Sequence, residues 1–118
     1  MQQHWTRIAR LEREGFDIRV EKTWEDTPVE DLFDGSEYDL HEINRKIDRG
    51  TYEWFLLRVR ACVGGHTLAE EYLGGLLYED ASEVLKDGVA EDLIAECLPR
   101  AREEVINLRE KLNALIPQ

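Results

Sequence analysis

Asp31, Asp34, Glu37, Asp39 and Glu42 place five carboxylates within a dozen residues, the densest set of reactive side chains in the sequence. Oxygen ligands at that density could hold a calcium ion, and paired acids could move a proton. The spacing argues against calcium. An EF-hand loop alternates its acids and then needs a glycine and a closing glutamate, and no such frame is present. Acids are also so numerous here that no pair is singled out for proton transfer. His4, His41 and His66 stand apart from one another and from Cys62 and Cys97, so a zinc-ligand spacing is missing too. Ser36 and Ser82, the two serines, both fall in acidic turns rather than on a nucleophile elbow. Neither Gly64-Gly65 nor Gly74-Gly75 leads into a lysine or a helix in a phosphate-binding pattern. The sequence therefore predicts no catalytic residue, no metal and no cofactor, and a protein that is not an enzyme.

Charge is the remaining signal. The 118 residues carry a net charge of −11, and its distribution is uneven. Residues 21–42 hold nine acids against Lys22, and residues 79–96 hold seven against Lys86, while each of the three other stretches comes to +1. Should both segments share a face, their charge approaches that of duplex DNA, about one per 1.7 Å of axis. Such a surface is expected to engage a basic partner, a nucleic-acid-handling protein, and not nucleic acid itself. Glu25, Asp26, Glu30, Asp31, Asp34, Glu37 and Asp39 would make the main contact, with Glu83, Asp87, Glu91 and Asp92 as a second patch. Helix capping competes as an explanation, because Glu30, Asp39, Glu42, Asp80 and Glu83 stand where helix N-termini favour carboxylates.

The elements that must position these residues follow from periodicity. Trp5, Ile8 and Leu11 recur at helical spacing up to Gly15, which predicts a helix over residues 3–14 with Arg7, Arg10 and Arg13 exposed. From Phe16 the period becomes two: Phe16, Ile18, Val20 and Trp24 share one side of a strand, and Asp17, Arg19, Glu21 and Thr23 the other. Thr27-Pro28-Val29-Glu30 reads as a capping box opening a short helix to about Phe33. Asp39 caps a second helix from Leu40 to Arg49, stopped by Gly50. Residues 52–63 form the clearest strand, and Gly64-Gly65 turns it into a partner over residues 67–78, interrupted by Gly74-Gly75 as a bulge. Asp80 with Glu83 starts a short helix ending near Gly88, and a long helix begins near Val89. Pro99 should kink that helix or divide it. The fold class is α+β: an antiparallel sheet of about three strands, with short helices and a long C-terminal helix on one face, in a single domain spanning residues 1–118.

Two further surfaces emerge from this layout. Phe55, Leu57, Val59 and Ala61 face the helices, which leaves Trp54, Leu56, Arg58 and Arg60, with Tyr72, Leu76 and Tyr78 from the return strand, on the far side. Aromatics and arginines together suit an interface, unless a neighbouring segment covers them and local carboxylates pair the arginines. In the long helix Ile94, Leu98, Ala101, Val105, Leu108, Leu112 and Leu115 form a heptad seam that packs on the sheet or joins two copies, so the chain is a monomer or a homodimer. Cys62 and Cys97 match no disulfide or metal pattern and are expected as buried thiols. With no signal peptide and no long apolar run, a cytoplasmic protein without membrane contact is expected.

At the hairpin, Trp54-Phe55 followed by Val59, Ala61, Gly65, Leu68 and Tyr72-Leu73-Gly74-Gly75 with Tyr78 resembles a pattern in small acidic proteins of unknown function. These are encoded in bacterial genomes and on phages and plasmids. The match spans roughly residues 52–78, with looser similarity at Thr27-Pro28-Val29-Glu30-Asp31. Short proteins of this provenance include inhibitors of host defence, such as anti-restriction and anti-CRISPR proteins, several of which present DNA-like acidic surfaces. The resemblance implies such an inhibitor role by association and carries over no site residue. Arginine dilutes the charge here more than in the densest mimics. The alternative expectation is a structural or regulatory interaction protein that dimerises through its C-terminal helix.

Overall fold

The computed structural model describes residues 3–116. Four strands form one antiparallel sheet in sequence order: β1 (Thr6–Arg13), β2 (Phe16–Trp24), β3 (Glu53–Val63) and β4 (His66–Tyr78). Between β2 and β3 lie two short helices, α1 (Val29–Leu32) and α2 (Leu40–Asp48). A 3-10 turn, Ala81–Leu85, leads from β4 into the long helix α3 (Val89–Leu115). The fold is α+β, with α3 packed on the sheet. No described helix is long and apolar enough to cross a membrane.

The alternation of β2 and β3 builds the core. Phe16, Ile18 and Val20 lie beside Phe55, Leu57, Val59 and Ala61 on one face, against Leu93, Ile94, Cys97, Leu98 and Ala101 of α3. Burying side chains of this size stabilises by roughly 1.5–3 kcal/mol each. Cys62 and Cys97 are both buried and unpaired with each other, and burial pushes the Cys97 thiol up from its ordinary pKa. Trp24 keeps the side predicted for it, opposite Phe55, yet 60% of its surface is exposed.

Residues 6–13 are a strand, not the predicted helix. Glu14 and Gly15, at φ 56° and 87°, form a two-residue turn that sends β1 back along β2, so Gly15 is a hairpin residue and not a helix stop. A bulge between Arg7 and Ala9 produced the helix-like spacing: it brings Ile8, Ala9 and Leu11 all against the core, which breaks strict alternation. This strand makes the sheet four-stranded rather than about three-stranded.

Three other local expectations change. The α1 capping box does not form: Pro28 occupies the cap position without a side-chain hydrogen bond, and Glu30 accepts from the Asn44 side chain on α2 instead. Of the two outcomes expected at Pro99, a kink or a division, the division does not occur: α3 is one helix through it. The bond that proline forgoes would go to the carbonyl of Ala95, and both residues are exposed, so water can satisfy it. The third change concerns β4. Three steps from Leu73 to Leu76 oppose two from Leu57 to Phe55, so the bulge at Gly74-Gly75 reverses the side on which later residues emerge. Leu76 and Tyr78 therefore pack on the helix face, not on the far face.

Candidate functional site at the acidic end of the sheet

An antiparallel meander fixes where its connections lie. Trp24 pairs with Phe55, and Glu53 pairs with Tyr78, so β2 ends, β3 begins and β4 ends at the same edge of the molecule. The connection over residues 25–42 leaves from there with eight acids and no lysine or arginine. Residues 79–87 leave from the same end with four acids and Lys86. Glu53 ties the second connection to the end of β2: its carboxylate pairs with Lys22 and accepts from the Ala81 amide at 2.7 Å.

Many of these acids have local partners. Glu25 accepts from the Gly75 amide at 2.7 Å, which pins the first connection to the β4 bulge. Gly75 sits at φ +70° with Leu32 directly above it, where an added Cβ would lie 2.6 Å from the leucine Cδ1. Asp34 accepts from the Ser36 amide at 2.9 Å, and that bond, with the Ser36 hydroxyl, holds its carboxyl below the usual range. Asp39 caps α2 through the Glu42 amide at 3.1 Å. Asp80 does the same for the 3-10 turn through Ser82. Glu83 pairs with Lys86 at 3.7 Å. Asp87 accepts from the Val89 amide at 3.0 Å and from the Tyr78 hydroxyl. Burial first, and then Asp87, push the Tyr78 phenol up to about 12.

Asp26, Asp31 and Glu37 are exposed and have no side-chain hydrogen bond or ion pair among the described residues. With Glu79 of the second connection, likewise exposed and without such a partner, they are carboxylates of this end open to an outside cation. The second predicted patch is split. Asp87 stays near the end of β4, whereas Glu91, on the first turn of α3, is taken up by Arg13 of β1, which donates to it at 2.9 and 3.0 Å and lowers its pKa. Asp92 is exposed on the first turn of α3.

The far face of the hairpin is mostly occupied. Trp54 is only 3% exposed: the first acidic connection lies over it, with Phe33 at 5.8 Å and the Thr27 carbonyl accepting from its Nε1 at 2.9 Å. It is therefore covered, not part of an open surface, and Tyr78 has moved to the other side. Arg58 and Arg60 converge on Glu21, with Nε donors at 3.0 and 2.7 Å and Arg60 Nη2 at 2.9 Å. Burial raises the Glu21 pKa, but the Arg60 hydrogen bond and the two guanidinium charges outweigh it, so the carboxyl titrates below its ordinary value. Glu21, one of the nine acids of residues 21–42, is thus buried in the sheet and adds no open charge to the acidic end. Its alternation with Arg58 and Arg60 on the neighbouring strand was the available signal for this cluster. Tyr72 remains 46% exposed beside Trp5, whose ring also stacks on Arg58 at 3.9 Å.

No group of three or more metal-ligating side chains converges among the described residues. The comparisons with protein-family models, curated proteins and solved structures find no match to this chain.

Proposed function

We propose that this chain is a non-enzymatic binding protein whose acidic end engages a basic surface on a nucleic-acid-handling protein, as an inhibitor of the DNA-mimic kind. The observation that carries the reading is the convergence of two acidic connections on one end of the sheet, with Asp26, Asp31 and Glu37 open to solvent. Carboxylates held by an ordered scaffold lose little freedom on binding, which favours an interface of fixed charges. The anti-restriction or anti-CRISPR class would be served by this chemistry, on the association with phage- and plasmid-encoded proteins.

The test is capture from a bacterial lysate on immobilised protein, eluted with a salt gradient, beside a D26K/D31K/E37K variant. Asp34 is left intact because it closes the Ser36 turn. A protein eluting at moderate salt and missing from the variant is expected, since exposed charge pairs are screened within about 10 Å at 0.1 M. Retention of the same proteins by the variant would refute the assignment of the acidic end.

A further inference from the structure

The apolar stripe of α3 outruns the sheet it packs on. Ile94, Leu98 and Ala101 are buried, but Val105, Leu108, Leu112 and Leu115 continue the same helical row and are 39%, 36%, 56% and 77% exposed. Residues 102–115 add about 20 Å of helix at a 1.5 Å rise per residue, and the molecule is 65 Å long against 27 and 25 Å across. Beneath this overhang the turn between β3 and β4 contributes Val63, His66 and Leu68, which with Val105, Leu108 and Leu112 form an open, mainly apolar groove of about 460 Å³.

We infer that a second copy of this chain fills the groove, its α3 overhang lying antiparallel against the first. Three observations select that occupant. With Val63, the four exposed stripe residues present on the order of 400–500 Å² of apolar surface per chain, in the upper part of the roughly 300–600 Å² of a monomer's largest patch, and two copies together approach the roughly 1,000 Å² a specific interface needs. The 3-4-3 spacing from Val105 to Leu115 is that of a helix-packing seam, and a second overhang supplies the same seam by twofold symmetry. Charge does not oppose the contact: residues 102–116 hold Arg102, Arg109 and Lys111 against Glu103, Glu104 and Glu110, while the acidic end lies at the other end of the sheet. Orientation follows from the fold. Each sheet sits on the stripe face before Ala101, so a parallel pair would drive the two sheets into one another, whereas an antiparallel pair places them at opposite ends. This inference is independent of the acidic-end proposal.

Sedimentation velocity of the full chain at micromolar concentration, in low salt and in 1 M salt, is expected to give a dimer at twice 13.8 kDa in both. L108E/L112E is expected to sediment as a monomer with an unchanged far-UV spectrum, its dissociation constant raised about 100-fold or more by burying charge at the seam. Because those positions are exposed, loss of folding is not expected; L112A, which removes apolar area alone, should weaken the dimer in the same direction. A spin label on E103C reads the orientation. Antiparallel pairing centred near residue 110 separates the two labelled backbones by about 20 Å or more along the helix, and parallel pairing leaves only the interhelical 8–10 Å. A monomeric wild type, a dimer that survives L108E/L112E, or the short spacing would overturn the inference.

Discussion

Replacing Glu21 with alanine should destabilise this protein more than any other single carboxylate removal, because two guanidinium groups depend on it. The Arg58, Arg60 and Glu21 side chains are 16%, 19% and 11% exposed, so the variant leaves two largely desolvated cations side by side on β3, with no carboxylate opposite them on β2. Breaking a buried pair by removing one partner costs about 3–5 kcal/mol, and the partial exposure favours the lower end, about 3 kcal/mol. With roughly 4 °C per kcal/mol for a domain of this length, the melting temperature should fall by about 12 °C. Urea unfolding at pH 7, read at constant m-value, measures the loss directly. E21Q, which keeps an acceptor but loses the charge, should cost about 1–2 kcal/mol. E21L/R58M/R60M, which removes all three charges, should return to within about 1 kcal/mol of the wild type. The pH dependence has a definite sign. Glu21 has a lowered pKa in the fold, so its contribution is present above the unfolded carboxyl value of about 4.3 and is lost as pH falls through the folded pKa. The gap between wild type and E21A should therefore be full at pH 7, begin to narrow only below the unfolded carboxyl value of about 4.3, and close as pH falls through the lowered folded pKa. A loss under about 0.5 kcal/mol at pH 7 would refute the reasoning, since it would mean that water already satisfies the arginines.

Other expected outcomes follow from the same structure. G75A places a Cβ at a positive φ and against Leu32, and should cost about 2 kcal/mol in urea unfolding, with the acidic connection detached from the β4 bulge. Tyr78 has a raised pKa, so its contribution is intact below about pH 10 and is lost as pH climbs through about 12; Y78F should remove that part of the alkaline destabilisation, followed by circular dichroism. Cys62 and Cys97 should resist alkylation in the folded protein at pH 8 and react on unfolding, as mass spectrometry of iodoacetamide-treated samples would register.

Much of this fold is legible in the chain because its elements obey one period each. The alternation from Phe55 to Ala61, the Asp39 cap of α2, the Gly64-Gly65 turn and the long α3 stripe all correspond to observed structure. β1 was hidden by a single inserted residue, since the bulge at Ile8 turns a strand's alternation into a three-residue spacing. The bulge at Gly74-Gly75 was visible, but its consequence, the reversal of Leu76 and Tyr78, depends on pairing register that no local pattern reveals. The acidic end is a similar case. Each acidic segment is plain in the sequence, yet their convergence is set by strand order, and the loss of Glu91 to Arg13 is a long-range side-chain contact between α3 and β1. Capping explains Asp39 and Asp80 as composition suggested, whereas Glu30 left its expected cap for Asn44.

The most direct test of the proposed function is capture on the immobilised wild-type protein from a nuclease-treated bacterial lysate, with and without excess duplex DNA, quantified by mass spectrometry. A surface that imitates DNA must compete with it, so one or more nucleic-acid-binding proteins should be retained in the absence of DNA and lost in its presence. Retention of the same proteins at the same yield in both arms would contradict the account.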